Sequence, residues 1–322
     1  MAQPNSSFDE LAAITIAKYS PTLADNVTNN VPLLYYIKQS GNLREVTDGG
    51  LQILENLRYG DNASFKWFNG YEELSVTPTD DFTVAAFDWK ECNANVIFSG
   101  RDLAINSGDS KKFDLIDNKR QSTEDTITNN LGAALYYSNT ESSGKAIGGL
   151  QHLVADTATS GTVGGINRAT STNSFWRNQV YDFSDQGVVA SASTIVAAMG
   201  SLYRLCTRNA DMPDLISFDD VYYGYFEAAM QAQQRFTESR EAQTGFITVR
   251  YKNAKVLYDP NASASHGYFL NTKYLKFRPH KDVNMKVGRP KYPTNQNATV
   301  LPLNWMGNMT CSNCAVNGVM HA

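Results

Sequence analysis

The chain has 322 residues, 42% of them hydrophobic, which is enough for a substantial core and excludes wholesale disorder. A formal net charge of −4 excludes the global positive charge of a dedicated nucleic-acid binder, so any contact with nucleic acid is expected to be local or weak. Charged residues make up only 19%, against about 25% in an ordinary domain, a deficit expected where partners cover much of the surface.

Residues 1–30 carry no basic start followed by an apolar run, and no apolar stretch approaches the ~18 residues of a membrane span. An intracellular chain with no membrane role is expected. Residues 7–40 read as an arm with two helical pieces. Phe8, Leu11, Ala12 and Ile16 form the first apolar face, and Pro32 opens a second, dense anchor of Leu33, Leu34, Tyr35, Tyr36 and Ile37.

From Gly49 to Ser99 the alternation becomes that of strands. Leu51, Ile53, Leu57 and Tyr59, continued by Ala63, Phe65 and Trp67, form one run; Val84, Ala86, Phe87 and Trp89, then Ala94, Val96 and Phe98, form the return. The turn between them lies at Thr77-Pro78-Thr79-Asp80-Asp81. An unbroken strand from Thr83 to Phe98 would reach roughly 50 Å at ~3.4 Å per residue, so a bulge or break is expected, or a hairpin that projects from the body. A projecting hairpin bearing Trp67, Phe68, Tyr71, Phe82, Phe87 and Trp89 needs another chain to cover it. An ordinary meander within one domain is the alternative.

Ile127, Leu131 and Leu135 recur every four residues and predict one long helix over Leu115 to Ser142, with a capping box at Ser122-Thr123-Glu124-Asp125. Asn129 and Asn130 fall on its polar face, which is expected to be completed by another subunit. The Gly-rich region that follows contains imitations of catalytic motifs. Ser142-Ser143-Gly144-Lys145 has the S-x-x-K spacing without the partner motifs of acyl-transferases. Gly144-Lys145 and Gly161-Thr162-Val163-Gly164-Gly165 each fall short of a phosphate loop.

Ser191 to Thr207 predicts a helix with Ile195, Val196, Met199, Leu202, Tyr203 and Leu205 on one side. Leu215 to Phe218 predicts a short buried strand, and Asp219-Asp220 cap a helix with Val221, Tyr225, Phe226, Ala229 and Met230 inward. Gly245 closes this lobe. Strand character returns from Phe246 to Tyr258, Asp259-Pro260-Asn261 marks a turn, and Tyr268 to Thr272 opens another extended segment.

Between Lys273 and Lys291 stand seven Lys/Arg and one Asp. They fit a nucleic-acid patch, a solvated strand edge, or a surface that meets the acidic hairpin residues Glu72, Glu73, Asp80 and Asp81 of a neighbouring copy through Lys281 and Arg289. His152, His266, His280 and His321 stand in unrelated contexts, none spaced with a nucleophile or a metal-ligand set. Cys92 and Cys206 are isolated, and Cys311-Ser312-Asn313-Cys314 supplies two of a zinc site's four ligands, with His321 a third at most. Reduced, unligated thiols are expected, with no catalytic residue, metal or cofactor.

The order of parts resembles the major capsid proteins of tailed bacteriophages, with their Hong Kong 97-like α+β fold. The resemblance is carried by Gly148-Gly149-Leu150, Gly164-Gly165-Ile166-Asn167-Arg168, Phe175-Trp176-Arg177-Asn178, Pro213-Asp214-Leu215-Ile216 and Tyr268-Phe269-Leu270-Asn271-Thr272. It implies an N-terminal arm (1–48), an extended hairpin loop (49–100) and a peripheral domain with a spine helix (101–146). An axial α/β domain (147–245), return strands of the peripheral domain (246–290) and a C-terminal tail (291–322) follow. The implied function is self-assembly into pentamers and hexamers of an icosahedral head around double-stranded DNA. The implied partners are a scaffolding protein during assembly, a portal, a decoration protein and the packaged DNA in weak contact. The same resemblance implies location in the virion, and in the host cytoplasm during assembly. Some family members join subunits through a lysine of the extended loop; Lys66 lies in that region, but no partner is evident and no crosslink is expected. A cargo-enclosing bacterial nanocompartment of the same fold is the nearest alternative, and a soluble enzyme a more distant one.

Overall fold

A computed structural model of the chain describes residues 31–42, 50–62, 64–74, 80–101, 115–232, 238–240 and 247–322. The first arm helix, the turn at residues 77–79 and Gly245 lie outside the described residues. The described residues divide into two compact units, one taking in 91–101, 115–131 and 282–306, the other 31–42, 50–62, 64–74, 80–90, 132–232, 238–240, 247–281 and 307–322.

The larger unit is built on seven strands. They are β6 (Gln179–Asp182), β7 (Leu215–Phe218), β8 (Glu238–Arg240), β9 (Ile247–Tyr251), β10 (Ala254–Tyr258), β11 (His266–Leu270) and β15 (Gly318–His321), in the spatial order β6-β15-β11-β7-β10-β9-β8. The pairs β6/β15 and β7/β10 are parallel and the other neighbours antiparallel. Every residue of β7 is buried. Its alternation sends Ile216 and Phe218 into a cluster with two helices, Ile195–Cys206 and Asp220–Ala232, while Ser217 faces the opposite side. Asp219 caps the second helix as expected, its Oδ1 accepting from Tyr222 N at 3.0 Å.

Two inward assignments shift by one position on these helices. Leu205 is 52% exposed while Cys206 is buried, and Val221 is 44% exposed while Tyr222 is buried. The other inward positions hold, with Ile195, Met199, Leu202 and Tyr203 of the first helix and Phe226, Ala229 and Met230 of the second buried, so period and phase were right and only these end positions miss.

Opposite that cluster, Tyr136 Oη sits 2.6 Å from Ser217 Oγ and donates to Asp259 Oδ2 at 3.0 Å. Asp259 is fully buried and also accepts from Asn261 N and from the backbone N–H of Leu33. That last bond ties the start of the helix Pro32–Gln39 to the turn after β10, giving an orphan helix amide a partner from elsewhere in the chain.

In the smaller unit, β3 (Lys90–Ser99) pairs with β14 (Ala298–Cys311), and β13 (Lys286–Val287) pairs through Lys286↔Asn304 and Val287↔Leu303. The far half of β14, from Gly307 to Cys311, lies in the larger unit and pairs with β12 (Leu275–Pro279). Residues 291–322, expected as a tail, therefore contain the 14-residue β14 and an interior strand of the seven-stranded sheet.

The long helix spans Leu115–Ala134. Its stripe is present, with Ile127 and Leu131 buried, and it begins at Leu115, but its capping box and its C-terminal end differ from expectation. Ser122 lies within the helix rather than at its cap, and its carbonyl accepts from Thr126 Oγ1 at 2.8 Å. Thr123, Thr128 and Asn130 likewise bond carbonyls four residues back, so much of the polar face is satisfied within the helix. The helix stops eight residues before Ser142. The amides of Leu135, Tyr136 and Tyr137 turn to carbonyls three residues back, and the carbonyl of Leu135 is taken by Leu150 N at 2.7 Å. The crossing chain passes so close that a Cβ at Gly149 would lie 2.5 Å from the carbonyl oxygens of Ala134 and Leu135.

Candidate assembly surface

Within the larger unit, β1 (Gln52–Arg58) and β2 (Phe82–Asp88) form an antiparallel hairpin in the register Gln52↔Asp88 to Arg58↔Phe82. The expected break falls at Trp89, between β2 and β3. Alternation gives the ladder two unlike faces. Ile53, Glu55, Leu57, Ala85 and Phe87 are buried, whereas Leu54, Phe82 and Val84 on the other face are 63%, 76% and 46% exposed.

The buried face is held by a carboxylate that sequence reading missed. Glu55 receives Lys276 Nζ at 2.6 Å, Arg278 Nη2 at 3.0 Å and Thr310 Oγ1 at 2.9 Å. Lys276 and Arg278 stand two apart on β12, and Thr310 is the cross-strand partner of Lys276 on β14, so one face of that ladder presents all three donors. Burial pushes the Glu55 carboxyl up, but the Lys276 bond and the charges of Arg278 and Lys276 outweigh it and hold the group below its ordinary range. With Lys273 paired to Asp211 at 3.0 Å, three residues of the basic run thus have an intramolecular partner, which corrects the picture of that run as wholly a free edge or an intersubunit patch. Trp89 Nε1 donates to Gly50 O at 2.9 Å, and Asn308 Nδ2 donates to Asp88 O at 2.8 Å, fixing the hairpin's base.

The glycine motif at 161–165 grips the same hairpin. Strands β4 (Thr162–Val163) and β5 (Ile166–Asn167) join through Gly164 and Gly165, both at positive φ, as a two-residue turn requires. Gly164 O accepts from Ala86 N at 3.0 Å, and a Cβ at Gly164 would stand 2.7 Å from that of Ala85. Behind the turn, Trp176 Nε1 donates to Val163 O, and the fully buried Arg168 donates to the carbonyls of Leu153 and Trp176. The residues that carried the resemblance here serve as a backbone-bonded socket for the hairpin. The S-x-x-K imitation forms an exposed turn, with Ser142 and Ser143 at positive φ.

Beyond the ladder, residues 59–62, 64–74 and 80–81 have no strand structure, and their large side chains stand in solvent. Phe65 is 74% exposed, Trp67 89%, Phe68 60% and Leu74 51%; Tyr71 is fully exposed. Trp67, Phe68, Glu72, Glu73, Asp80 and Asp81 are thus gathered at one end of the hairpin. Glu72 pairs with Lys66 at 3.4 Å, while Glu73 and Asp80 are exposed. Lys281 and Arg289 are exposed, and among the described residues no ion pair joins them to the acidic residues of the tip. Asn129 is half-buried and Asn130 exposed on the helix of the smaller unit.

The cysteines behave as a buried pair and two separate thiols. Cys311 and Cys314 are fully buried, burial pushes the Cys311 thiol well up, and no disulfide joins the four. Among the described residues no cluster of His, Cys, Asp or Glu is arranged to hold a metal, and no helix is long and apolar enough to cross a membrane.

No protein-family model matches the chain, and no curated protein matches it by sequence. Solved structures do. The capsid protein of cyanophage A-1(L) superposes with a TM-score of 0.65 at 13% identity, covering 93% of this chain and 94% of that one. The capsid of the empty GTA particle gives 0.59 at 13% identity, covering 93% and 99%. The SrpI encapsulin of Synechococcus elongatus PCC 7942 gives 0.56 at 9% identity, covering 98% and 95%. The chain is a mixed helix and sheet structure with the Hong Kong 97-like fold.

Proposed function

We propose that this chain is the major capsid protein of a tailed phage, assembling as pentamers and hexamers into an icosahedral head around double-stranded DNA. The observation that carries the reading is the two-faced hairpin: one face is bonded into its own chain through Glu55 and Gly164, and the other ends in uncovered aromatic side chains. A monomer gains nothing from holding such a surface rigidly in water, whereas a neighbouring copy would bury it. The role needs no catalysis. The net charge of −4 suits a container that lines DNA without gripping it. A scaffolding protein during assembly, a portal and a decoration protein are the partners such a head would use, and assembly would take place in the host cytoplasm.

The encapsulin match supports a second reading, a shell around protein cargo. Particles purified from producing cells and treated with nuclease separate the two. Protected double-stranded DNA of uniform length supports the phage head, while particles with a stoichiometric protein cargo and no DNA favour the nanocompartment.

A further inference from the structure

His266 opens β11 with both ring nitrogens set against oxygen. Nδ1 lies 2.7 Å from the carbonyl oxygen of Ala264, and Nε2 lies 3.2 Å from Asp156 Oδ1, on the loop that follows the short helix Leu150–Leu153. A carbonyl and a carboxylate accept and do not donate, so either neutral tautomer would turn a ring lone pair on an oxygen lone pair. Only the imidazolium, a donor at both nitrogens, serves the two together. Nε2 is shut off from solvent, so bulk water does not relieve the neutral forms.

The surrounding groups favour the same charge. His321 on β15 is the cross-strand partner of His266, its ring nearly parallel with centroids 5.7 Å apart, and Tyr268 stacks at 6.1 Å. Asp219, just past β7, accepts from Tyr222 N and from Ser265 N, and its charge reaches the imidazole. Asp182 on β6 is the register partner of His321 and accepts from Ser184 N at 2.7 Å. Burial pushes the His266 imidazolium down, but Asp156, the Ala264 carbonyl and the charge of Asp219 outweigh it and hold its pKa above the ordinary value. Burial pushes the Asp156 carboxyl up, and His266, then His321, outweigh it and draw it below its usual range.

We propose that His266 is a pH-operated latch: as an imidazolium it ties the loop 156–160 to the head of β11 through Asp156, and on losing its proton it releases that loop. Asn178 Nδ2 holds Ala155 O at 2.8 Å in either state, so the release begins at Asp156. The loop runs into Gly161, whose carbonyl accepts from Arg168 N at 3.0 Å, and so into the glycine turn that grips the hairpin. A proton exchanged at the end of β11 is thereby felt beside the hairpin's socket. The folded pKa lies above the unfolded one, so the tie is in place below pH ~6.5 and is lost as pH rises through the folded value. The latch belongs to a single chain and does not depend on the shell reading.

NMR titration of the histidine side chains of the full chain, with hydrogen exchange over 156–160 corrected for its intrinsic pH dependence, tests it. A histidine midpoint above ~6.5 is expected, absent in His266→Gln and lowered in Asp156→Asn. Protection of 156–160 should fall about three- to fivefold as pH rises across that midpoint, the worth of a part-exposed ion pair, and should be level in both variants. Asp156 is exposed, so Asp156→Asn keeps the fold, and unaltered circular dichroism verifies this for each variant. A His266 midpoint at or below ~6.5, or the same midpoint in wild type and Asp156→Asn, overturns the tie. Wild-type protection that stays level across the midpoint overturns the release.

Discussion

Replacing Glu55 by Ala removes the group that holds the hairpin to the body. Losing one member of a buried ion pair costs about 3–5 kcal/mol when the stranded charge stays buried. Here Lys276 and Arg278 keep 22% and 19% of their side chains exposed and can turn to water, so a loss of about 2–3 kcal/mol is expected. The pH dependence carries a sign. Glu55 has a folded pKa below its unfolded value, so its contribution is present above the unfolded pKa and is lost as pH falls through the folded one. Wild type should therefore lose more stability than Glu55→Ala on acidification below pH ~4.5. Urea unfolding of the unassembled chain gives the energy, and amide hydrogen exchange over residues 52–58 and 82–88 localises it. A loss under about 0.5 kcal/mol with unchanged protection of both strands would refute the clamp.

Gly164→Ala places a Cβ 2.7 Å from that of Ala85 at φ +58° and should cost about 1–3 kcal/mol, measured as a lowered urea midpoint; an unchanged midpoint contradicts the close docking. The double change Trp67→Ser, Tyr71→Ser touches side chains that stand in solvent, so the unfolding midpoint of the lone chain should stay within ~0.5 kcal/mol of wild type. Assembly measured by light scattering should fall severely, and normal assembly would show that the tip is not an intersubunit contact. His152 is held at about 4 by burial, then by the charges of Arg168 and Lys90. Its depressed folded value means stability is full above pH ~6.5 and drains by on the order of 3 kcal/mol as pH falls toward 4. Comparing the pH slopes of wild type and His152→Gln by thermal unfolding checks this, since the variant's slope should be flatter.

The hairpin was readable because one face of each strand is buried and the other is wet, a contrast written at Ile53, Leu57 and Phe87; in the return strand Val84 and Ala86 were read in the apolar run, whereas it is Ala85 that turns inward with Phe87 and Val84 is 46% exposed. Its break was expected on length alone, and Trp89 is where it occurs. The two helices of the seven-stranded lobe were found by period with most inward positions right, and the misses fall near an end of each, where Cys206 rather than Leu205 and Tyr222 rather than Val221 is buried. The end of the long helix could not be found locally. Residues 135–142 are compatible with helix, and it is Leu150, arriving after Gly149, that takes the carbonyl of Leu135. Glu55 was hidden for the same reason: its partners Lys276 and Thr310 are 221 and 255 residues away, a distance no spacing rule covers. The basic run was visible, but which of its members face inward depends on the β12/β14 register.

Electron cryomicroscopy of the purified chain measures the central claim most directly. Closed, uniform icosahedral shells are predicted, in which Trp67, Phe68 and Tyr71 of each copy are covered by a neighbouring copy. A persistent monomer of 35.6 kDa, with the hairpin still in solvent at every concentration and in the presence of a scaffolding partner, would contradict it.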